Sequence, residues 1–218
     1  MIQYIKVTIS LILSLLAICL YLKLGGVERK YCMVGMMLST TGDVFMTDVL
    51  KLGSIGTYPG AAFFILAHIV YACCFFRAGK KYGITLKNKG FYAGILLAVS
   101  AAVLLTVLMF LKTGTMQPMY LPLLLYLVFI SINLVSQFSF GYGKRGRCIF
   151  LIPAMTLFLI SDFLVFLPML SVLPESVGYN ILIWIFYVPA QLLIILCNTD
   201  DRISQRRLEK TGHRPVQC

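Results

Sequence analysis

Residues 148–170 read CIFLIPAMTLFLISDFLVFLPML, an apolar run interrupted by a single charged side chain, Asp162. A helix needs roughly 20 apolar residues to cross the hydrocarbon core of a bilayer, and this run is long enough. Working outward from it, comparable runs occupy 178–198 on one side and 119–139, 91–111, 59–78, 31–50 and 3–22 on the other. The connections hold the breakers, among them Gly25-Gly26, Gly53 to Pro59, Gly114 to Pro118, Gly141 to Gly146 and Pro174 to Gly178. The chain is 60% hydrophobic and only 12% charged, where a soluble domain carries roughly 25% charged residues. The reading is an all-α, polytopic membrane helix bundle of seven transmembrane helices. One domain spans 1–198, and the polar stretch 199–218 forms a basic cytoplasmic tail. The first run is too long for a signal peptide, and no small-residue cleavage site precedes Lys23, so it is expected to stay as a helix.

Charge sets the expected orientation. With seven spans, one side of the membrane collects Lys23, Arg29, Lys30, the group from Arg77 to Lys89, the group Lys144, Arg145 and Arg147, and the basic tail. All but Lys6, Lys51 and Lys112 of the 19 Lys and Arg residues fall there. Cytoplasmic loops gather basic residues, so the N-terminus is expected outside and the C-terminus in the cytoplasm. The net charge of +11 then meets anionic inner-leaflet lipids, and no nucleic-acid partner is needed to explain it. The seven cysteines form no CxxC pair, so they read as buried apolar residues or reduced thiols rather than disulfides or metal ligands. His68 and His213 are the two histidines, too few for a multi-histidine zinc site. No metal or cofactor is expected.

The chemistry lies in the polar residues inside the runs. Asp43 and Asp162 sit well within spans, where a carboxylate costs a few kcal/mol and commonly marks function. Asp48 falls near the outer end of its span and reads as solvated. Counted from the outer ends at ~1.5 Å per residue, Asp43, His68, Asp162, Tyr187 and Gln191 all lie ~10–20 Å deep. Ser39 with Asp43, His68 with Tyr71, and Tyr187 with Gln191 are spaced to share helix faces. The inference is a polar pocket open to the outer half or middle of the membrane. Bland readings compete with it. Thr40 and Thr41 suit interhelical hydrogen bonds, Gly42 suits close packing, and Gln191 suits a structural bond between helices. Tyr71 and Tyr187 suit core positions with satisfied hydroxyls, and Tyr126 and Asn133 fit either class. The aspartate pair is the hardest to explain structurally, because Lys6 is the one basic residue within the spans that could neutralise it. At least one of the two is expected to be protonated or hydrogen-bonded.

At these residues the sequence resembles the YhhN-type lysoplasmalogenase family of membrane proteins. The matching pieces are Ser39-Thr40-Thr41-Gly42-Asp43, then Gly60-Ala61-Ala62-Phe63-Phe64 leading to His68 and Tyr71. Phe158-Leu159-Ile160-Ser161-Asp162 and Tyr187 through Gln191 follow in order. Tyr4-Ile5-Lys6-Val7-Thr8 resembles a family segment in which Lys precedes Pro, with Val7 in place of that Pro. The family usually has eight helices, and this chain is read as one short at the N-terminus. The resemblance implies hydrolysis of the vinyl-ether bond of lysoplasmalogens to a fatty aldehyde and a glycerophospho-ethanolamine or -choline, in a bacterial plasma membrane. Such hydrolysis needs an acid, a negative charge beside an oxocarbenium ion and a base, which two carboxyls can supply as in glycosidases. Asp43 and Asp162 are the expected catalytic pair. Ser39, His68, Tyr71, Ser161, Tyr187, Gln191 and Lys6 are the expected orienting or substrate-binding residues. The competing reading is a proton-coupled transporter or channel using the same carboxyls. A retinal-type Schiff base has no Lys in the seventh span, and no Gly-flanked serine suggests a rhomboid-like protease.

Overall fold

The computed structural model describes residues 2–47, 49–113, 120–144, 146–170 and 176–197. Asp48 and the stretch 199–218, with His213, lie outside the described residues. Seven α-helices follow one another: α1 (Ile2–Leu24), α2 (Val27–Met46), α3 (Thr57–Lys81), α4 (Lys89–Thr113), α5 (Tyr120–Lys144), α6 (Leu151–Met169) and α7 (Val177–Cys197). Short 3-10 turns at Gly53–Gly56 and Gly146–Phe150 lead into α3 and α6. No strand occurs among the described residues. Six of the helices are long and apolar enough to cross a bilayer, which makes the chain an integral membrane protein.

The helix outside that set is α2, and it departs most from the expected spans. The sequence predicts it over 31–50, whereas it begins at Val27 and ends at Met46. Gly26, at φ 103°, takes a backbone conformation that side chains disfavour, and the helix starts directly after it. The charged first turn is tolerated because Glu28 is bonded by Lys81 Nζ at 2.9 Å. At the other end α2 stops at Met46, four residues short of the expected end, and Lys51 and Gly53, both at positive φ, then turn the chain toward α3.

Helix α2 packs against α1, α3 and α7, so its polar residues meet protein rather than lipid. Ser14 and Thr40 share a hydrogen bond of 2.7 Å across α1 and α2, and Thr40 Oγ1 also donates to the Ser10 carbonyl at 3.1 Å. Thr41 instead donates to Met37 O within its own helix. Gly42 and Gly60 let α2 and α3 approach closely. A Cβ on Gly42 would lie 2.9 Å from the Phe64 ring and 3.2 Å from Gly60 O. Small residues serve this purpose in membranes, where helix association depends on packing rather than on escape from water. Gly35 likewise makes room for the Tyr71 ring, 2.5 Å from where a Cβ would stand. The main apolar core lies among α3, α5, α6 and α7, around Phe75, Ile130, Leu134, Met155, Phe158 and Ile194. Helix α4 stands at the periphery and packs on α5.

The two ends of the bundle differ in charge. At one end Lys81 meets Glu28, and Lys144 Nζ lies 3.3 Å from the centroid of the Tyr82 ring. The start of α2 and the ends of α3 and α5 therefore share a basic end. At the other end the first turns of α1, α3, α5 and α7 meet the last turns of α2 and α6 around a cavity.

Candidate functional site

That cavity has a volume of about 460 Å³, within the range of small-molecule sites. Six helices line it. Lys6 comes from α1, Asp43 and Met46 from α2, Tyr58 and Phe64 from α3, Tyr126 from α5, Ser161, Asp162 and Phe166 from α6, and Asn180, Trp184 and Tyr187 from α7. The two aspartates, far apart in the sequence, thus border one space. Both are almost fully buried, at 5% and 7% exposure.

Asp43 Oδ2 accepts from two helices at once. Tyr187 of α7 donates its hydroxyl at 3.0 Å, and Ser10 of α1 donates as well. Behind Tyr187 the donors continue: Gln191 Nε2 donates to the Tyr187 hydroxyl at 3.1 Å, and the Tyr71 hydroxyl donates to Gln191 Oε1 at 3.1 Å. The spacing of Tyr187 and Gln191 on one helix face places the amide against the phenol. Ser39, fully buried, lies beside Tyr71. Lys6 Nζ donates to Asn180 Oδ1 at 2.7 Å and lies 5.9 Å from the Trp184 ring centroid, so a cation borders the same cavity as Asp43.

Asp162 is served from other helices. The Tyr126 hydroxyl of α5 donates to Asp162 Oδ2 at 2.8 Å. His68 Nε2 of α3 stands 3.0 Å from that hydroxyl and 3.7 Å from the carboxyl oxygen itself. His68 Nδ1 faces Asn133 Nδ2 at 3.0 Å, and Gln137 Nε2 donates to Asn133 Oδ1 at 3.0 Å. Phe158 lies edge-on to both His68 and Tyr187, with centroids at 5.1 Å and 5.5 Å, and forms a wall between the two chains of donors. Ser161, next to Asp162, turns its hydroxyl to the Ile183 carbonyl at 3.3 Å.

The single polar pocket expected from the sequence is therefore a cavity with two branches behind it. Asp43, Asp162, Ser161, Tyr187 and Lys6 line the cavity, whereas Ser39, His68, Tyr71 and Gln191 stand behind its wall. His68 and Tyr71, spaced to share a helix face, serve different branches, because their side chains meet α5 and α7 respectively. Ser10 and Gln137 take part without being expected there, and Tyr126 and Asn133, which fit either class in the sequence, also join the hydrogen bonds. Tyr126, Asn133 and Gln137 recur at intervals of seven and four along α5, which brings them onto one helix face. That stripe of polar groups in an apolar run was the available signal. Ser10 carried no signal beyond its helical spacing from Ser14.

No curated protein and no solved structure matches the chain. The sequence pattern that defines the YhhN family, in contrast, runs through residues 2–198, from the first helix through the last, and the chain belongs to that family.

Proposed function

We propose that the protein is a membrane-embedded hydrolase that cleaves the vinyl-ether bond of lysoplasmalogens, releasing a fatty aldehyde and a glycerophospho-alcohol. The observation that carries this reading is the pair of buried carboxyls, Asp43 and Asp162, bordering one cavity at one end of the bundle. In the proposed reaction one carboxyl delivers a proton to the β-carbon of the alkenyl chain. The other, ionised, faces the oxocarbenium ion that forms at the α-carbon. Water adds to that carbon and loses a proton to a carboxylate. The hemiacetal then breaks its bond to the glycerol oxygen, which takes up a proton, and the carbonyl of the aldehyde forms. General acid and base assistance of this kind contributes ~10²–10⁴-fold to rate.

The lining suits a lipid with one chain and a polar head. Phe64, Leu123, Val165 and Phe166 offer apolar surface beside the carboxyls. Lys6, held by Asn180, offers a cation to a phosphate. If the basic end faces the cytoplasm, the cavity opens on the outer side, where the chain of a single-tailed lipid can enter from the leaflet. Proton-coupled transport would need a polar route onward to the basic end. The interior there holds Phe75 against Phe140, with ring centroids 5.7 Å apart.

The test is aldehyde release by purified protein from a lysoplasmalogen, with the ester-linked lysolipid as control. Aldehyde should form from the vinyl ether alone. Asp43→Asn and Asp162→Asn should each lower kcat by at least ~10³-fold while the protein remains folded. Full turnover in either variant rejects the pair. Proton flux in liposomes without lipid cleavage would favour the transporter instead.

A further inference from the structure

The branch behind Asp162 ends in two amides, and their orientation bears on what the branch does. Asn133 and Gln137 are fully buried on α5. Met155 Sδ lies 3.6 Å from Asn133 Nδ2 and 3.4 Å from Gln137 Nε2, so both amide nitrogens turn toward the sulfur, a weak acceptor. Gln137 Nε2 then donates to Asn133 Oδ1, which leaves Asn133 Nδ2 as the group facing His68 Nδ1. An N–H aimed at Nδ1 requires a lone pair there. The ring proton must then sit on Nε2, where it points at Tyr126 and Asp162.

We infer that Asn133, held by Gln137, is a positioning residue that sets the His68 tautomer with its proton on Nε2, so that the branch orients Asp162 rather than conducting protons to it. This role rests on the hydrolase reading, whereas the tautomer itself does not. Every bond in the branch runs one way: Gln137 to Asn133, Asn133 to His68, His68 to Tyr126, Tyr126 to Asp162. A neutral imidazole that passed its Nε2 proton forward would become an anion, and an amide has no proton to replace it. The branch is therefore closed at its far end. It keeps Asp162 Oδ2 as an acceptor and leaves Oδ1 as the oxygen that exchanges a proton with substrate. The orientation carries a cost, because Gln137 Oε1 is buried with no hydrogen-bond partner among the described residues. Turning both amides over would satisfy that oxygen with Asn133 Nδ2, put the ring proton on Nδ1 and reverse the chain. The two arrangements are mutually exclusive and can be distinguished by experiment.

With two histidines in the chain, His213→Gln leaves His68 as the sole imidazole. The experiment is nitrogen NMR of the full-length, histidine-labelled protein in liposomes. The expected spectrum has a protonated Nε2 and a bare Nδ1. Asn133→Asp and Gln137→Glu each present an acceptor where a donor stood, and each should move the proton to Nδ1. In the aldehyde assay Asn133→Asp should lower kcat about 100-fold, with KM changed by less than about twofold, the pattern of a misdirected acid–base group. A proton on Nδ1 in the unsubstituted protein overturns the inference, as does an unmoved proton in a folded Gln137→Glu variant. If the tautomer is as expected and both variants reverse it, but no protein releases aldehyde, the tautomer assignment stands and the hydrolase reading falls.

Discussion

Asp43 and Asp162 are the same group at similar burial, yet the protein holds them differently. Asp43 takes direct hydrogen bonds from two helices, through Ser10 and Tyr187, and shares its cavity with Lys6. Asp162 takes one close bond, from Tyr126, while His68 waits at 3.7 Å. Among the described residues, one carboxyl is held redundantly and the other has a single close donor, a phenol. A buried carboxylate is stabilised in proportion to the donors that replace its lost water. The difference suggests that Asp43 is fixed in place and that Asp162 is the more responsive partner, tied to the one histidine among the described residues of the bundle.

That contrast can be broken by removing matching hydroxyls. The largest effect is expected for Tyr126→Phe, which strips Asp162 of its close donor and severs His68 from it. A hydrogen bond to a buried charge contributes ~1.5–3 kcal/mol, so aldehyde release should fall about 100-fold. Tyr187→Phe removes the equivalent bond from Asp43 but leaves Ser10, and about a tenfold loss is expected. Equal losses in the two variants, measured as kcat side by side, would erase the asymmetry. The smallest effect belongs to Tyr71→Phe, three hydrogen bonds away from Asp43. It should change kcat by less than about threefold, with a modest drop in thermal stability, because Gln191 Oε1 loses its donor in a dry interior. A large loss in Tyr71→Phe would instead mean that the outer members of the Asp43 branch matter as much as the inner ones.

The number and order of the helices were legible in the apolar runs, since length and hydropathy are properties of a segment. So was the singular status of Asp43 and Asp162, because an unneutralised carboxyl in an apolar run is conspicuous wherever the run packs. The limits of α2 were less legible. Its charged first turn reads as loop until Lys81, from the far end of α3, is seen beside Glu28. Tyr126 and Asn133 remained ambiguous for a similar reason. A phenol or an amide on a helix is equally suited to a structural bond and to a site, and its partner on another helix decides between them.

Residue order alone dictates that this chain crosses the bilayer repeatedly and that two acids are carried inside, because the cost of placing charge or bare backbone in hydrocarbon acts segment by segment. It does not dictate which donors meet which acid. His68 and Tyr71 lie on the same stretch of α3, yet one supports Asp162 and the other Asp43. That partition follows from α5 packing directly on α3 while the Tyr71 hydroxyl reaches across to Gln191 of α7, with Phe158 between the two branches. Helix packing, set by contacts such as Gly42 against Gly60, turns several isolated polar residues into two oriented chains that end on a shared cavity.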